Sequence, residues 1–272
     1  MTLEQVIEEI KKKPYMLKQG RGYLAKKLHT TPEIIVEAKA RVKCLPNTTS
    51  KSVKGPRILI LDIETSPMQA YVWKRWKENI SLDQTISEWF MICWSAKWLG
   101  ETDTFGDCCI PDEIQEEDDM RICYSLWNIL NEAEIVIAHN GSHFDIPMIN
   151  SRFAIHGFLP PAPYRQIDTL DVAKKSFKFS SNKLDALAGY FNIEHKNPTD
   201  FNLWKACMAG DKAALKYMFE YNIKDVEILE KVYLRLRPWI KNHPNLATIT
   251  MADDLVCPVC GKKDLIPIPG KY

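Results

Sequence analysis

The chain has 272 residues, of which 46% are hydrophobic and 26% are charged, and its formal net charge is +1. This composition is typical of a folded globular protein with one sizeable core, and it excludes a largely disordered chain. Apolar runs reach only strand length, so the sequence predicts no transmembrane helix and no membrane partner. The segment MTLEQVIEEIKKKP carries acids where a signal peptide needs a basic and then an apolar run, so we expect an intracellular protein.

The small net charge conceals an uneven distribution along the chain. Residues 1–57 contain 13 Lys and Arg against 5 Asp and Glu, whereas the remainder contains 23 basic against 30 acidic residues. A basic segment joined to an acidic body favours an arm that binds a polyanion. A solvated helical surface is the alternative explanation for the basic charge.

Residues 1–45 are predicted to form a small module of three helices. The segment LEQVIEEIKKK is amphipathic, GRGYLAKKLH follows it, and TTPEIIVEAKARVK begins with Thr31 as N-cap and Pro32 as first helical residue. The short helix, tight turn and second helix resemble a helix-turn-helix motif. Leu24, Leu28 and Ile35 can fill its small core.

The sequence leaves two partners open for this module. Its positive charge favours contact with DNA, but many three-helix modules of this kind bind only protein. His29 occupies the turn position that is often Gly in helix-turn-helix motifs, which departs from the pattern. We expect either nucleic acid or a replication or repair protein as the partner.

A polar linker at residues 46–56 separates this module from a region of strands. The segments RILILDIE, QAYVW and EWFMICWSAKWLG predict three successive strands. A helix at about 116–133 and the strand EIVIAH follow, and the chain is then mainly helical. This order predicts an α/β domain at residues 57–240, a mixed sheet flanked by helices, followed by a tail at residues 241–272.

Two acids, Asp62 and Glu64, stand at the end of the apolar strand RILILDIE. Because successive strand side chains alternate between faces, both project to the same side of the sheet. Two ionised carboxylates there repel each other unless a divalent cation lies between them. The alternative is a pair of acids solvated at the end of an edge strand.

Two further segments carry residues suited to the same chemistry. In IVIAHNGSHFDIPMI, a buried strand ends before Gly141, which allows a tight turn, and Asp145 follows in the first turn of a helix. An acid at a helix start is also ordinarily favoured by the helix dipole. In YNIKDVEILEKVY, Tyr221 and Asp225 are four residues apart and therefore share one helical face.

The three motifs LDIETSP, AHNGSHFDIPMI and YNIKDV together resemble a known family. Their order and spacing are similar to those of the DnaQ-like 3′–5′ exonucleases of the ribonuclease H-like superfamily, over about residues 57–237. Histidine-bearing members have His five residues before the last acid, where this chain has Glu220. Tyr221, four residues before Asp225, resembles the tyrosine-bearing, four-acid (DEDD) branch, which includes the proofreading domains of family B DNA polymerases.

The resemblance implies a ribonuclease H-like fold and a role for each acidic residue. Asp62 would bridge two Mg²⁺ or Mn²⁺ ions, while Glu64 and Asp225 complete the ion on the nucleophile side. Asp145 would support the ion on the leaving-group side, either directly or through a water molecule. Tyr221 would hold the attacking water.

Further residues beside the motifs are candidate nucleic-acid contacts, and each has a structural alternative. For Thr65 and Ser66, which follow the first strand where many relatives have Gly, the alternative is a plain turn. For His139 and Asn140 the alternative is capping of the turn between strand and helix, and for Lys183 it is an ordinary solvated lysine. These candidates are Thr65, Ser66, His139, Asn140 and Lys183, while Asp168 is expected to be structural.

The tail contains a Cys-x-x-Cys-Gly knuckle at Cys257 and Cys260. Such a knuckle commonly provides half of a structural zinc site, which needs four ligands, and no Cys or His follows it here. A longer natural protein could provide the second half, so these cysteines are candidate Zn²⁺ ligands. Two free thiols are the alternative.

The resemblance implies a metal-dependent 3′–5′ exonuclease that hydrolyses DNA from single-stranded 3′ ends with two metal ions. An exoribonuclease is one alternative, because the acids cannot distinguish DNA from RNA. A DNA-binding replication-accessory protein that uses the domain as a docking platform is another. The four intact acids disfavour that last alternative.

Overall fold

A computed structural model of the chain describes residues 1–12, 21–43, 56–194, 199–249, 255–263 and 265. Two compact units are present, one of Met1–Ser52 and Gly157–Leu159 and one of Val53–His156 and Pro160–Tyr272. Nearly all of the predicted linker lies outside the described residues. Among those that are described, no helix is both long and apolar enough to cross a membrane.

The described part of the first unit contains the three predicted helices: α1 (Leu3–Lys12), α2 (Arg21–Lys27) and α3 (Pro32–Lys43). His29, between α2 and α3, has a φ of 48°, the left-handed conformation for which such turns often use Gly. The Oγ1 of Thr31 accepts a hydrogen bond from the Ile34 amide at 3.4 Å, so Thr31 caps α3 as predicted. The buried core consists of Val6, Ile10, Leu24, Ala25, Leu28, Ile35 and Ala38.

The second unit is built on a mixed five-stranded sheet. The strands of the whole unit are β1 (Ile58–Thr65), β2 (Gln69–Ala70), β3 (Thr85–Ser87), β4 (Met91–Trp98), β5 (Thr104–Cys108), β6 (Ile135–Ala138) and β7 (Arg165–Asp168). The main sheet has the order β5-β4-β1-β6-β7, and β2 and β3 form a separate two-stranded ribbon. β1 pairs antiparallel with β4 and parallel with β6.

Helices flank this sheet, which confirms the predicted fold class. They are α4 (Pro111–Gln115), α5 (Met120–Leu130), α6 (Asp145–Ile155), α7 (Thr169–Ser176), α8 (Leu184–Tyr190), α9 (Phe201–Met208), α10 (Lys212–Leu236) and α11 (Leu246–Ile249). The longest, α10, packs across β1, β4 and β5, while α5 packs on β4 and β5.

The face of β1 under α10 changes from apolar to acidic along the strand. Ile58 and Ile60 are buried in one core cluster with Val226 and Leu229 of α10. The alternation of strand side chains carries the same face on to Asp62 and Glu64, beyond the apolar core. The strand therefore anchors α10 with its first half and presents acids with its second.

The main sheet differs from the prediction in two of its strands. The segment QAYVW is a strand only at Gln69–Ala70, and this strand lies outside the main sheet. Tyr71 and the residues after it are exposed. β4 pairs directly with β1, and the third strand of the meander is β5, whose Gly and Asp are uncommon in strands. Gly106 is required there, since a Cβ would lie 2.2 Å from the Trp94 carbonyl oxygen.

A buried carboxylate, Asp119, ties α5, α6 and β4 together. Nε and Nη2 of Arg152 each donate to it at 2.7 Å, and the Met91 amide donates at 2.7 Å. The His156 ring contacts the same carboxylate. Burial alone would raise the pKa of Asp119, but the hydrogen bonds from His156, Arg152 and the Met91 amide outweigh burial and hold it below its usual value.

Asp119→Asn is expected to lower the free energy of unfolding by about 3–5 kcal/mol at pH 7, because it leaves the buried Arg152 charge uncompensated. The contribution of this carboxylate is complete above the ordinary Asp pKa of about 4 and is lost as pH falls through the lowered folded-state pKa. The difference in the free energy of unfolding between wild type and variant, measured by urea denaturation, should therefore decrease toward pH 3. The exposed-site variant Glu117→Gln is the control, and a loss below about 1 kcal/mol at pH 7 would contradict the assigned role.

Candidate active site

Three acidic side chains meet where the apolar part of β1 ends. Asp62 and Glu64 project from one face of β1, and Asp225 joins them from α10. A carboxylate oxygen of each lies within 4.8 Å of the others. Asp225 is buried and the other two are half-buried, so water screens their mutual repulsion poorly. This oxygen-only donor set fits a hard divalent cation, whose ligands are carboxylate oxygens and water.

Asn222 of α10 orients the first of these acids. Its Nδ2 donates to Oδ2 of Asp62 at 2.7 Å, and the Asn222 side chain is fully buried. The Asn222 Oδ1 atom is buried as well and has no hydrogen-bond partner among the residues that the structure describes. The Asn222 amide therefore fixes the position of one carboxylate oxygen of Asp62.

Asp145, at the start of α6, lies outside this group of three. Its Oδ1 accepts a hydrogen bond at 3.2 Å from the amide of Ile63, the residue between Asp62 and Glu64. Burial raises the pKa of Asp145 to about 7, although backbone hydrogen bonds partly oppose this rise. Asp145 therefore fixes the backbone between the two strand acids.

A cavity of about 690 Å³ opens over the three carboxylates. Tyr221 lines it one helical turn before Asp225, so both face the same space, as the spacing of four residues predicted. His139, Asn140 and Lys183 line the cavity as well. The structure thus brings the acids of β1 and α10 together with side chains from the β6–α6 turn and α8.

A comparison with models of protein families matches residues 59–237 to the RNase_H superfamily. This match covers well over half of the chain. The chain belongs to the RNase_H superfamily. Among solved structures, the chain is similar to the family B DNA polymerase from the hyperthermophilic archaeon Pyrobaculum calidifontis, with 16% identity and a TM-score of 0.48. That alignment covers 67% of this chain and 25% of the polymerase, so the chain spans about a quarter of that protein. A search of curated proteins finds no significant match.

In this RNase_H superfamily domain, Asp168 organises the turn between β6 and α6. Its carboxylate accepts hydrogen bonds from the amides of Asn140 and Ser142 at 2.9 and 3.0 Å, and it also accepts the Ser142 hydroxyl. Asn140 has a φ of 70°, and a Cβ on Gly141 would lie 2.4 Å from the Ala138 Cβ. Asp168 is structural, and Gly141 is required by the close approach of Ala138 rather than by its φ.

His139 and Asn140 are held from behind while they line the cavity. The Nδ1 of His139 lies 2.9 Å from the Thr169 hydroxyl, and the Asn140 backbone is bound by Asp168. The His139 ring and the Asn140 backbone therefore have fixed positions at the cavity wall. Contact with nucleic acid stays a prediction for both.

Thr65 and Ser66 follow the strand acids but make different contacts. Ser66 is 3% exposed and exchanges hydrogen bonds with Phe90: its amide donates to the Phe90 carbonyl, and its Oγ accepts the Phe90 amide, both at 2.8 Å. These contacts fit the plain-turn alternative for Ser66. The Thr65 carbonyl accepts the indole N–H of Trp204 at 3.1 Å, and Thr65 lines a second cavity with Phe201.

Lys183 is exposed at the N-cap of α8, and Lys174 of α7 lines the same cavity. Both place a cation at the wall of an otherwise acidic site, where a phosphate could be bound. Lys174 was missed from the sequence because none of the three motifs that carry the candidate site includes it. Its exposure alone would suggest a solvated surface lysine.

Two other residues escaped the sequence analysis. Asn222 precedes Asp225 by three residues, and this helical spacing was the available signal for a shared face. No sequence pattern indicated the role of Trp204, because its hydrogen bond to Thr65 joins residues 139 positions apart.

Cys257 and Cys260 lie in a tight turn in which the Gly261 amide donates to the Cys257 carbonyl at 2.8 Å. Backbone amides of Val259 and Cys260 lower the pKa of the Cys257 thiol. Within the described part of the chain, no third His, Cys, Asp or Glu lies close enough to complete a group of three with them. The zinc site stays a prediction.

Asn222→Ala is expected to weaken Mn²⁺ binding about 10- to 100-fold, because Asp62 loses the hydrogen bond that orients it. Isothermal titration of Mn²⁺ into metal-free protein measures this change. Glu220→Gln, an exposed position on the same helix, should leave the affinity unchanged. Wild-type affinity in a folded Asn222→Ala protein would show that this hydrogen bond does not organise the site.

Proposed function

We propose that this protein is a metal-dependent 3′–5′ exonuclease of the tyrosine-bearing, four-acid branch, acting on single-stranded 3′ ends of DNA. The observation that carries the proposal is the group Asp62, Glu64 and Asp225, which lies beneath a cavity lined also by Tyr221. Membership of the RNase_H superfamily supports nuclease activity. The order of the three motifs along the chain supports the narrower assignment.

Asp62, Glu64 and Asp225 would hold one divalent ion, and Asp62 with Asp145 would serve a second. All candidate donors are carboxylate oxygens, which suits Mg²⁺ or Mn²⁺ better than a softer metal. Bound ions supply charge stabilisation at the scissile phosphate and raise the acidity of the attacking water. The acidic character of the domain is compatible with a polyanionic substrate for this reason.

The remaining residues of the cavity would position the substrate. The Tyr221 hydroxyl would orient the attacking water, and Asn222 would hold Asp62 in place from behind. Lys183 and Lys174 would bind phosphates on the 5′ side of the reacting one. None of these roles requires a proton to leave Tyr221, since an oriented hydroxyl can both accept and donate hydrogen bonds.

We propose in addition that the N-terminal module is a helix-turn-helix-like domain that contacts nucleic acid. Its turn at His29 and its capped α3 support the motif, and Lys26 and Lys27 are exposed at the end of α2. A docking surface for a replication or repair protein is the alternative. The salt dependence of DNA binding separates the two.

Wild-type protein is expected to shorten labelled DNA from the 3′ end only when Mg²⁺ or Mn²⁺ is present. Asp62→Ala should slow this reaction by at least about two orders of magnitude, because metal ions contribute several kcal/mol to such transition states. Gel analysis of 3′- and 5′-labelled single- and double-stranded DNA and RNA measures it, with EDTA as the negative control. Faster shortening of RNA would favour the exoribonuclease alternative, and no shortening in any condition would favour the docking platform.

Tyr221→Phe is expected to lower kcat by up to about 100-fold with little change in Mn²⁺ affinity, because the water loses its orientation while the carboxylates stay in place. Single-turnover cleavage and Mn²⁺ titration measure the two effects separately. Tyr217→Phe, one turn earlier on α10, is the matched control. An unchanged rate would remove Tyr221 from the mechanism.

Lys26→Ala/Lys27→Ala is expected to reduce the slope of log K against log salt for DNA binding by about 1 to 2, because each phosphate contact contributes about 0.7 to 0.9. Fluorescence anisotropy at several salt concentrations, in EDTA, measures the slope. An identical slope in the variant would assign the module to protein docking.

A further inference from the structure

The segment that follows β2 exposes large aromatic side chains to solvent. In YVWKRWK, residues 71–77, the rings of Tyr71, Trp73 and Trp76 are 74%, 92% and 82% exposed. Trp is normally well buried on average, because its ring carries a large apolar area. Three such rings within six residues therefore form an unusual surface, and it is called here the aromatic strap (residues 71–77).

Hydrogen bonds fix the backbone of the aromatic strap. The Tyr71 amide donates to the Gln84 carbonyl at 2.9 Å, and the Gln84 side-chain amide donates back to the Tyr71 carbonyl at 3.0 Å. The Glu78 carboxylate accepts the amides of Trp73 and Lys74 at 3.5 and 3.2 Å. The loop therefore has a defined backbone conformation, and in that conformation the rings are exposed.

Cations alternate with these rings along the strap. Lys74, Arg75 and Lys77 are all exposed, and residues 71–77 contain no acid. Aromatic faces stack on bases of any sequence, while nearby cations meet the phosphates that join those bases. The charge and the rings together are complementary to a single-stranded nucleic acid, in which bases and phosphates are both accessible.

The aromatic strap is also tied by the chain to the candidate active site. Trp73 follows Thr65, the last residue of β1, by eight residues, a span of at most about 29 Å when fully extended. At 3.4 Å per phosphate of a stacked strand, this distance corresponds to at most about eight nucleotides. A strand whose 3′ end occupies the cavity could therefore reach the strap within that length.

We propose that the aromatic strap is a stacking platform for the single strand whose 3′ end occupies the cavity. Trp73 and Trp76 stack on bases upstream of the scissile bond, and Lys74, Arg75 and Lys77 bind the adjoining phosphates. The orientation of the strand rests on the proposed exonuclease function. Binding of the strand does not, since it needs no metal and no cleavage.

The test compares four full-length proteins: wild type, Trp73→Ala/Trp76→Ala, Trp73→Phe/Trp76→Phe and Leu82→Ala. Leu82 is 87% exposed near the strap but has no ring, so it controls for the loss of exposed apolar surface. Fluorescence anisotropy with a 5′-labelled oligothymidylate of 20 nucleotides in EDTA gives Kd. The double Ala variant should bind at least about tenfold more weakly, whereas the double Phe and Leu82 variants should stay close to wild type.

Substitution of the three cations tests whether they bind the phosphates of the strand. Lys74→Ala/Arg75→Ala/Lys77→Ala should lower the salt slope of single-strand binding by about 2, at about 0.7 for each contact. With Mg²⁺ present, kcat/KM of the double Ala variant should fall on the 20-nucleotide strand and match wild type on a trinucleotide. Loss on both lengths would overturn the assignment, because the trinucleotide cannot extend to a platform upstream.

Other occupants of the strap predict different results. Unchanged affinity for the oligothymidylate in the double Ala variant overturns the proposal. If that variant also loses binding to anionic phosphatidylserine vesicles, the strap is a membrane contact, and if it changes from dimer to monomer in light scattering, the strap is a self-association surface.

The outcomes separate this proposal from the proposed function. Strand binding that depends on Trp73 and Trp76, in a protein that cleaves nothing, would support the platform and contradict the exonuclease. Metal-dependent cleavage that is indifferent to both residues at every length would support the exonuclease and contradict the platform.

Discussion

Repulsion among three carboxylates is the constraint on which the second unit is organised. Asp62, Glu64 and Asp225 have oxygens within 4.8 Å of one another, in a place where two of them are only half exposed and one is buried. Apolar contacts hold this group together, since Val226 and Leu229 of α10 pack on the isoleucines of β1 in one cluster. The core thus stabilises an arrangement that its own acids oppose, and the proposed divalent cation would offset the remaining repulsion.

Local periodicity predicted those parts of the site that depend on neighbours in sequence. The pairing of Asp62 with Glu64 follows from strand alternation, and that of Tyr221 with Asp225 follows from the helical repeat. The mixed sheet flanked by helices was likewise predicted from the order of strands and helices. The two pairings needed only residues within a few positions of each other, together with the ordinary geometry of a strand or a helix, whereas the sheet needed the order of elements along the whole domain.

Contacts between distant segments could not be predicted in this way. The sequence did not indicate that Asp145 would bond the Ile63 amide, which is 82 positions away, or that Asp119 would collect Arg152 and His156. The strand β5 was missed because Gly106 weakens the local strand pattern while serving a close approach to β4. Tyr71 and its neighbours were assigned to a strand on their composition, since β-propensity does not reveal whether a partner strand exists.

The hydrogen bond between Asn222 and Asp62 joins residues 160 positions apart, and this separation bears on how the molecule acquires its chemistry. The first acids lie on β1, near the start of the domain, but the site lacks Asp225 and Asn222 until α10 has docked on the sheet. Contacts of such high sequence separation form late and slowly in folding, and during synthesis α10 emerges last of the elements that build the site. A nascent chain would therefore present isolated strand acids without an assembled metal pocket. The group of three acids is therefore complete only once α10 has packed on the sheet.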